Sequence, residues 1–169
     1  MPSIRKESLA TIFVFYLVVV AAITIFPTHL SRFRVPYPND IGLVPLGYSC
    51  ECFRLAYGTQ PTVKAFCFRN TLGNLALLLP LGILLPLVSQ RFLTLKRVLL
   101  LALCLSLSIE TIQFVLWFFG NARTVDIDDV ILNTLGAGLG FAFYQFFIAK
   151  SEDRIQDREV RNEKRSSDS

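Results

Sequence analysis

The sequence predicts an all-α, polytopic membrane protein with four transmembrane helices and a long first extracytoplasmic loop. Its 169 residues are 53% hydrophobic, and the mean hydropathy of +0.50 is higher than soluble domains of this length have. Four predominantly apolar runs have the roughly 20 residues that a helix needs to cross a bilayer. The charged residues concentrate beside and between these runs, where membrane proteins place them.

The first run, residues 9–26, is predicted to be a retained transmembrane helix. Residues 1–8 before it carry two cations and are expected in the cytoplasm. A signal peptide would begin in the same way, but its apolar region has only about 7–15 residues. The sequence after the run, PTH at residues 27–29, also lacks the small residues of a cleavage site.

Residues 27–68 are predicted to be a long polar connection outside the cytoplasm. Prolines within this connection oppose a continuous helix, among them Pro36, Pro38, Pro45 and Pro61. The apolar segment 41–46 is expected at the membrane interface or folded back over the bundle. An extracytoplasmic location would also allow a disulfide from Cys67 to Cys50 or Cys52.

Three further spans are predicted at residues 71–89, 98–119 and 126–149. They complete a membrane domain over residues 9–149. Pro80 and Pro86 in the second span predict a kink, which is tolerable because neighbouring helices can satisfy the freed carbonyls. The tail 150–169 has many charges of both signs and no apolar period. We expect it to be cytoplasmic and either disordered or a frayed amphiphilic extension of the last helix.

The distribution of Lys and Arg predicts that both termini are cytoplasmic. Eleven of the 17 cations lie in the N-terminus, the 90–97 connection and the tail, and six lie on the other side. The richer side is the cytoplasmic one. The net charge of +4 therefore reflects topology, and no basic helix is interleaved with aromatic residues for a nucleic-acid partner. The cysteines show no CxxC or His-paired metal spacing, and we predict no cofactor.

The most informative stretch is residues 123–140, which begins with charges and continues without any. At about 100° per residue, one arc of roughly a quarter turn contains Asp126, Asp129, Asn133, Gly136, Gly140 and Tyr144. This stripe must face protein or trapped water, because hydrocarbon offers Asn133 no hydrogen-bond partner. The two glycines, spaced four residues apart, predict close packing against a neighbouring span.

Polar residues of the second and third spans are expected to face this stripe. Asn74 lies near the outer end of the second span, and Glu110 and Gln113 share one face of the third with Ser106 and Trp117. In one interpretation these groups form interhelical hydrogen bonds that fix the bundle. In the other, which their number favours, they line a pocket open to the outer face. That pocket binds a head group or positions Glu110 for proton transfer.

The acidic cluster at the start of the fourth span also has two interpretations. Carboxylates at a helix N-terminus are stabilised by free amides and the macrodipole, by about 0.3–1 kcal/mol each. Alternatively, Asp126 and Asp129 share a divalent cation, although no dedicated motif completes a metal site. Arg123 is expected to compensate these carboxylates. The predicted pocket therefore comprises Asn74, Glu110, Gln113, Arg123, Asp126, Asp129 and Asn133.

Three sequence blocks resemble motifs of the VanZ-like family. Residues 74–82, NLALLLPLG, resemble its N-x-x-x-F-x-P-x-G motif, with leucines before the proline where the family usually has an aromatic residue. Residues 108–113, SIETIQ, resemble its E-x-x-Q motif. Residues 123–136 resemble its third and most specific block, with Arg, Asp, Asp, Asn and Gly at the matching positions. The resemblance covers roughly residues 10–148.

The resemblance implies a multi-pass protein of the bacterial cytoplasmic membrane and cell envelope, without a settled biochemical activity. Founding members accompany glycopeptide-resistance clusters and raise tolerance to teicoplanin-type lipoglycopeptides. The expected function is therefore an accessory factor that binds an envelope lipid or lipoglycopeptide and contributes to teicoplanin resistance. Besides the lipid bilayer, that ligand is the expected partner.

The alternative is an intramembrane enzyme that acts on a lipid-linked envelope substrate. Glu110 would be its acid or base, and Asp126 and Asp129 would be ion ligands or electrostatic stabilisers. The sequence shows no nucleophile with an adjacent base, which disfavours acyl transfer. A transporter is a third interpretation, but four spans without an inverted repeat are few for one.

Overall fold

The computed structural model describes residues 3–25, 41–47, 49, 61–119 and 125–150. The elements in this part of the chain are α1 (Ser3–Ile25), β1 (Ile41–Gly42), α2 (Pro61–Leu77), α3 (Leu79–Val88), a 3₁₀ turn (Gln90–Phe92), α4 (Leu95–Phe118), β2 (Val125–Asp126), α5 (Ile127–Phe143) and a π-helical segment (Tyr144–Ala149). The predicted all-α fold class is confirmed, and the two short strands form a single parallel pair.

Four helical stretches of the described residues are long and apolar enough to cross a membrane. They are Glu7–Ile25, Cys67–Val88, Leu95–Leu116 and Ile127–Ala149. Large apolar side chains remain exposed on their outer surfaces, for example Phe15 (68%), Val18 (60%) and Leu135 (54%). So much exposed apolar surface suits contact with lipid rather than water. The protein is a multi-pass membrane protein.

α5 is the central helix of the bundle. It packs against α2, α3 and α4, whereas α1 packs against α3 and α4 from the outside. The apolar core between these helices consists of Val20, Leu78, Leu81, Leu85, Val98, Ala102, Ile109, Ala137, Phe141 and Tyr144. The helix with the acidic start is thus the one around which the others are arranged.

Glycines allow α5 to cross the second span at very short distance. A Cβ atom on Gly136 would collide with the Leu75 carbonyl oxygen, and one on Gly140 would collide with the Leu79 carbonyl oxygen. On the opposite helix, a Cβ on Gly82 would lie 2.7 Å from the backbone nitrogen of Phe141. Backbone therefore packs on backbone, which is the close approach that the glycine spacing predicts.

The second span is interrupted between α2 and α3 at Leu78, as its prolines predict. Pro80 lies in the first turn of α3, where it has no N–H to donate to the preceding turn. The hydroxyl of Tyr16 in α1 donates to the Leu77 carbonyl oxygen at 2.7 Å. A neighbouring helix therefore supplies a donor at the interruption.

The second span, Cys67–Val88, lies close to the predicted residues 71–89, but its helix extends into the predicted connection. α2 begins at Pro61, well before residue 71, so the end of the predicted 27–68 connection is helical. Proline breaks a helix in its interior, but it is favoured in the first turn, where its missing N–H would have no partner. The predicted tail lies outside the described residues, apart from Lys150.

The apolar segment 41–46 belongs to a loop folded back over the end of the bundle where α5 begins, which we call the acidic end. β1 pairs in parallel with β2 in the register Ile41–Val125 and Gly42–Asp126. This is the second of the two locations expected from the sequence. The tip of this loop is apolar and accessible, since the side chains of Leu43 and Val44 are 74% and 71% exposed.

Candidate functional site

The three aspartates at the acidic end have three different partners. Asp126 is the N-cap of α5, and its carboxylate accepts a hydrogen bond from the Asp128 N–H at 3.0 Å. The Asp126 N–H in turn donates to a carboxylate oxygen of Glu110 at 3.2 Å. Burial raises the pKa of the Asp126 carboxyl, the hydrogen bond from Asp128 partly offsets this rise, and the charge of Asp128 adds to it.

Asp128 anchors the loop that covers the acidic end. Its side chain is 1% exposed, and its two carboxylate oxygens accept the backbone N–H groups of Leu46 at 2.5 Å and Ser49 at 2.8 Å. Leu46 has a φ of 60°, a left-handed conformation that leucine rarely adopts. The two charge-assisted bonds fix the chain around this residue. Asp128 belongs to the acidic cluster at the start of the fourth span, but it is not one of the predicted pocket residues.

Asp129 links the fourth span to the second. The side-chain amide of Asn74 in α2 donates to its carboxylate. Both residues are predicted pocket members, and the structure brings them together. This contact lies on the same side of the bundle as the glycine crossing, so the polar and apolar parts of the α2–α5 interface are continuous.

The polar face of α4 meets α5 and α1. The Asn133 amide nitrogen donates to the Ser106 hydroxyl at 2.9 Å, and the Gln113 amide nitrogen donates to the Thr24 carbonyl oxygen at 3.0 Å. These side chains are buried, with 2% of Asn133, none of Ser106 and 5% of Gln113 exposed. Within the described part of the chain, the amide oxygens of both Asn133 and Gln113 are nevertheless without a hydrogen-bond partner.

Glu110 lies on α4 between Ser106 and Gln113. Its side chain is 7% exposed, one turn from Ser106 and almost one turn from Gln113, so that all three project from the same face of the helix. Because Ser106 contacts Asn133 of α5, the carboxylate and the two amides belong to one polar face of α4 and α5. The carboxylate and amide oxygens of this face suit a ligand that donates hydrogen bonds.

The predicted pocket residues that the structure describes form several separate hydrogen bonds rather than one shared contact. Asn74 meets Asp129 and Glu110 meets Asp126. Asn133 and Gln113 use their nitrogens on Ser106 and on α1. Arg123 and the side chain of Trp117 lie outside the described part of the chain. Within that part, no three His, Cys, Asp or Glu side chains are grouped as metal ligands.

Two members of this hydrogen-bond network, the Thr24 carbonyl and the Asp128 carboxylate, could not be identified as such from the sequence. The Thr24 carbonyl is a backbone group, and α1 shows no polar stripe that would indicate it. Asp128 differs from Asp126 and Asp129 in the sequence only by the side of the helix from which it projects. Its partners are backbone N–H groups some 80 positions away in the chain.

Cys67 at the start of the second span is disulfide-bonded. The predicted partners Cys50 and Cys52 lie outside the described residues. Cys104 in α4 is a free, exposed thiol.

A protein-family model described as VanZ/LLP1 matches residues 13–148 of the chain. The matched region begins within α1 and includes the other three spans almost to their end, together with all the described polar contacts of the site. No curated protein and no solved structure matches the chain.

Proposed function

The chain belongs to the VanZ/LLP1 family, and we propose that it is an accessory protein of the bacterial cell envelope that binds the head group of an envelope lipid or lipoglycopeptide. The binding site is the polar face of α4 and α5 near the acidic end. Through this binding the protein contributes to tolerance of teicoplanin-type lipoglycopeptides. Family membership supports the envelope role, and the geometry of the buried polar groups supports the binding role.

The observation that carries this proposal is the pair of buried amide oxygens without a partner, on Gln113 and Asn133. The nitrogen of each amide is already bound, which fixes the amide plane and leaves the oxygen as an unfilled acceptor. Such an atom costs about 1–3 kcal/mol when buried, and native proteins keep few of them. A ligand rich in donors removes this cost.

The head groups of lipid-linked saccharides and lipoglycopeptides are rich in hydroxyl and amide donors. Glu110 adds a carboxylate to the same polar face, and hydrogen bonds to a charged acceptor are about twice as strong as neutral ones. The site thus favours a polyhydroxylated or amide-bearing head group over an anionic one. Lipid-extract mass spectrometry on the purified protein identifies the ligand. Wild-type protein should retain an envelope lipid that the Asn133→Leu variant loses.

The function should depend strongly on Glu110. We expect Glu110→Leu to abolish both ligand retention and the teicoplanin tolerance gained on expression in a susceptible host, because it removes the charged acceptor. Glu110→Gln keeps the shape and one acceptor oxygen, and should retain partial function. Ser108→Ala is the matched control on α4, since its exposed hydroxyl bonds only the Cys104 carbonyl of its own helix. Wild-type tolerance in Glu110→Leu cells would contradict the proposal.

The Glu110→Gln variant also tests the enzymatic alternative, which the burial of the Glu110 carboxylate supports. General acid–base catalysis typically contributes about 10²–10⁴-fold to a rate and requires a group that exchanges a proton. Glutamine cannot do so. A Glu110→Gln protein that binds its ligand normally but loses all function would favour the enzyme over the accessory factor.

We further propose that the protein lies in the cytoplasmic membrane with both termini in the cytoplasm. The excess of cations on that side and the disulfide of Cys67 on the other support this orientation. A fusion after Ser89 should be active with a fluorescent cytoplasmic reporter and inactive with a periplasmic phosphatase. A fusion after residue 123 should give the reverse. Phosphatase activity at Ser89 would refute the orientation.

A further inference from the structure

A cavity of about 500 Å³ opens at the connection between α3 and α4, at the end of the bundle opposite to the acidic end. It is lined by Arg91 and Phe92 of the 3₁₀ turn and by Arg97 and Leu100 of α4. Its lining thus combines two cations with two apolar side chains and shares no residue with the α4–α5 polar face. We propose that this cavity binds the phosphate-bearing head group of an anionic membrane lipid.

The two arginines are arranged to bind an anion. Nη1 of Arg97 donates to the main-chain oxygen of Arg91 at 2.8 Å, which holds the Arg97 guanidinium over the turn and leaves its other N–H groups for a ligand. The connection 89–97 contains no Asp or Glu to neutralise them. The guanidinium fork matches phosphate oxygens in a bidentate geometry.

The start of α4 strengthens the attraction for an anion. This helix of 24 residues begins at Leu95, so that the positive end of its dipole lies beside Arg97. Lys96 adds a third positive charge to the same turn. The connection between α3 and α4 therefore carries three cations and no carboxylate.

The apolar side chains identify the ligand as a lipid. Leu100 is 52% exposed and Leu95 45%, and the membrane span Leu95–Leu116 starts here. Arg97 and Leu100 are three residues apart on one face of α4, so a phosphate on the arginine places an acyl chain along the leucine. Basic pockets between membrane helices bind anionic head groups in this way, whereas free phosphate would gain nothing from the leucines.

The experiment uses the full chain purified in a neutral detergent, with native mass spectrometry and the thermal midpoint as readouts. We expect phosphatidylglycerol to remain bound and to raise the midpoint, and phosphatidylcholine to do neither. Inorganic phosphate at the same concentration should have little effect. A phosphate effect as large as that of phosphatidylglycerol would show a free-anion site and overturn the lipid assignment. Equal binding of phosphatidylcholine would overturn the need for an anion.

Charge-neutral variants locate the site. Arg91→Gln and Arg97→Gln should each weaken phosphatidylglycerol binding about tenfold, the usual effect of losing a charge-assisted hydrogen bond. Arg91→Gln is the cleaner variant, because the bond from Arg97 goes to its main chain and is kept. Lys96→Gln is the matched control, since it removes the same charge from the same turn without lining the cavity, and should cost far less. Equal losses in all three variants would show diffuse surface charge and refute the site.

Discussion

Replacing Gly136 by alanine is expected to destabilise the protein by about 3 kcal/mol or more. The added Cβ would collide with the Leu75 carbonyl oxygen and lie 2.9 Å from its carbonyl carbon. A flexible side chain could rotate away, but a helix backbone cannot. Relief therefore requires α2 and α5 to separate, which opens the contact that holds the central helix.

Gly73→Ala provides the matched control for this prediction. It is the same chemical change in α2, the helix against which Gly136 packs, but a Cβ on Gly73 meets no heavy atom within 4 Å. Alanine also favours the helical backbone over glycine by about 1 kcal/mol. The thermal midpoint of the Gly73→Ala protein should therefore equal that of the wild type or exceed it. Fluorescence-detected size exclusion after heating measures both variants, and a wild-type midpoint for Gly136→Ala would contradict the backbone contact.

Asp128→Ala is expected to give the second-largest loss, about 2–4 kcal/mol. The change removes both acceptors of the Leu46 and Ser49 N–H groups, and hydrogen bonds to a charged group contribute about 1.5–3 kcal/mol each. Because Leu46 is 47% exposed, water can replace its hydrogen bond in the variant. The expected loss of stability is therefore smaller than the sum of the two bonds.

The loss should be accompanied by release of the loop over the acidic end. Limited proteolysis should cut Asp128→Ala protein near residues 43–46 faster than wild type, and Asp128→Asn, which keeps one acceptor, should be intermediate. Thr134→Ala is the control in α5, because its hydroxyl bonds only the Val130 carbonyl of its own helix. Unchanged cleavage and an unchanged midpoint for Asp128→Ala would show that the loop does not depend on this carboxylate.

The spans and the central role of the fourth one could be predicted from the sequence, because both depend on local patterns. Apolar length defines a membrane helix, and the positions of Asn133, Gly136 and Gly140 on one stripe indicate which side must face protein. The interruption at Leu78 follows from Pro80 two residues later. The helix before the second span could not be predicted, because Pro61 opposes a helix in its interior but is favoured in its first turn.

The partners of the polar residues could not be predicted with the same success. Helical phase places Gln113 beside Glu110, but nothing in the sequence indicates that its nitrogen binds a backbone carbonyl of α1. The three carboxylates at residues 126, 128 and 129 look alike in the sequence. They differ only in what the fold brings to them: their own helix, a distant loop and Asn74. Pairing across helices depends on packing distances that no single segment encodes.

The central position of α5 also has a consequence for how the protein is made. The fourth span is synthesised last and is the least apolar, with a mean hydropathy of 1.4 against 2.5, 2.0 and 2.1 for the others. Until it emerges, α2, α3 and α4 lack the helix that all three contact. The second and third spans therefore lack their contacts with α5 until the fourth span is inserted between them.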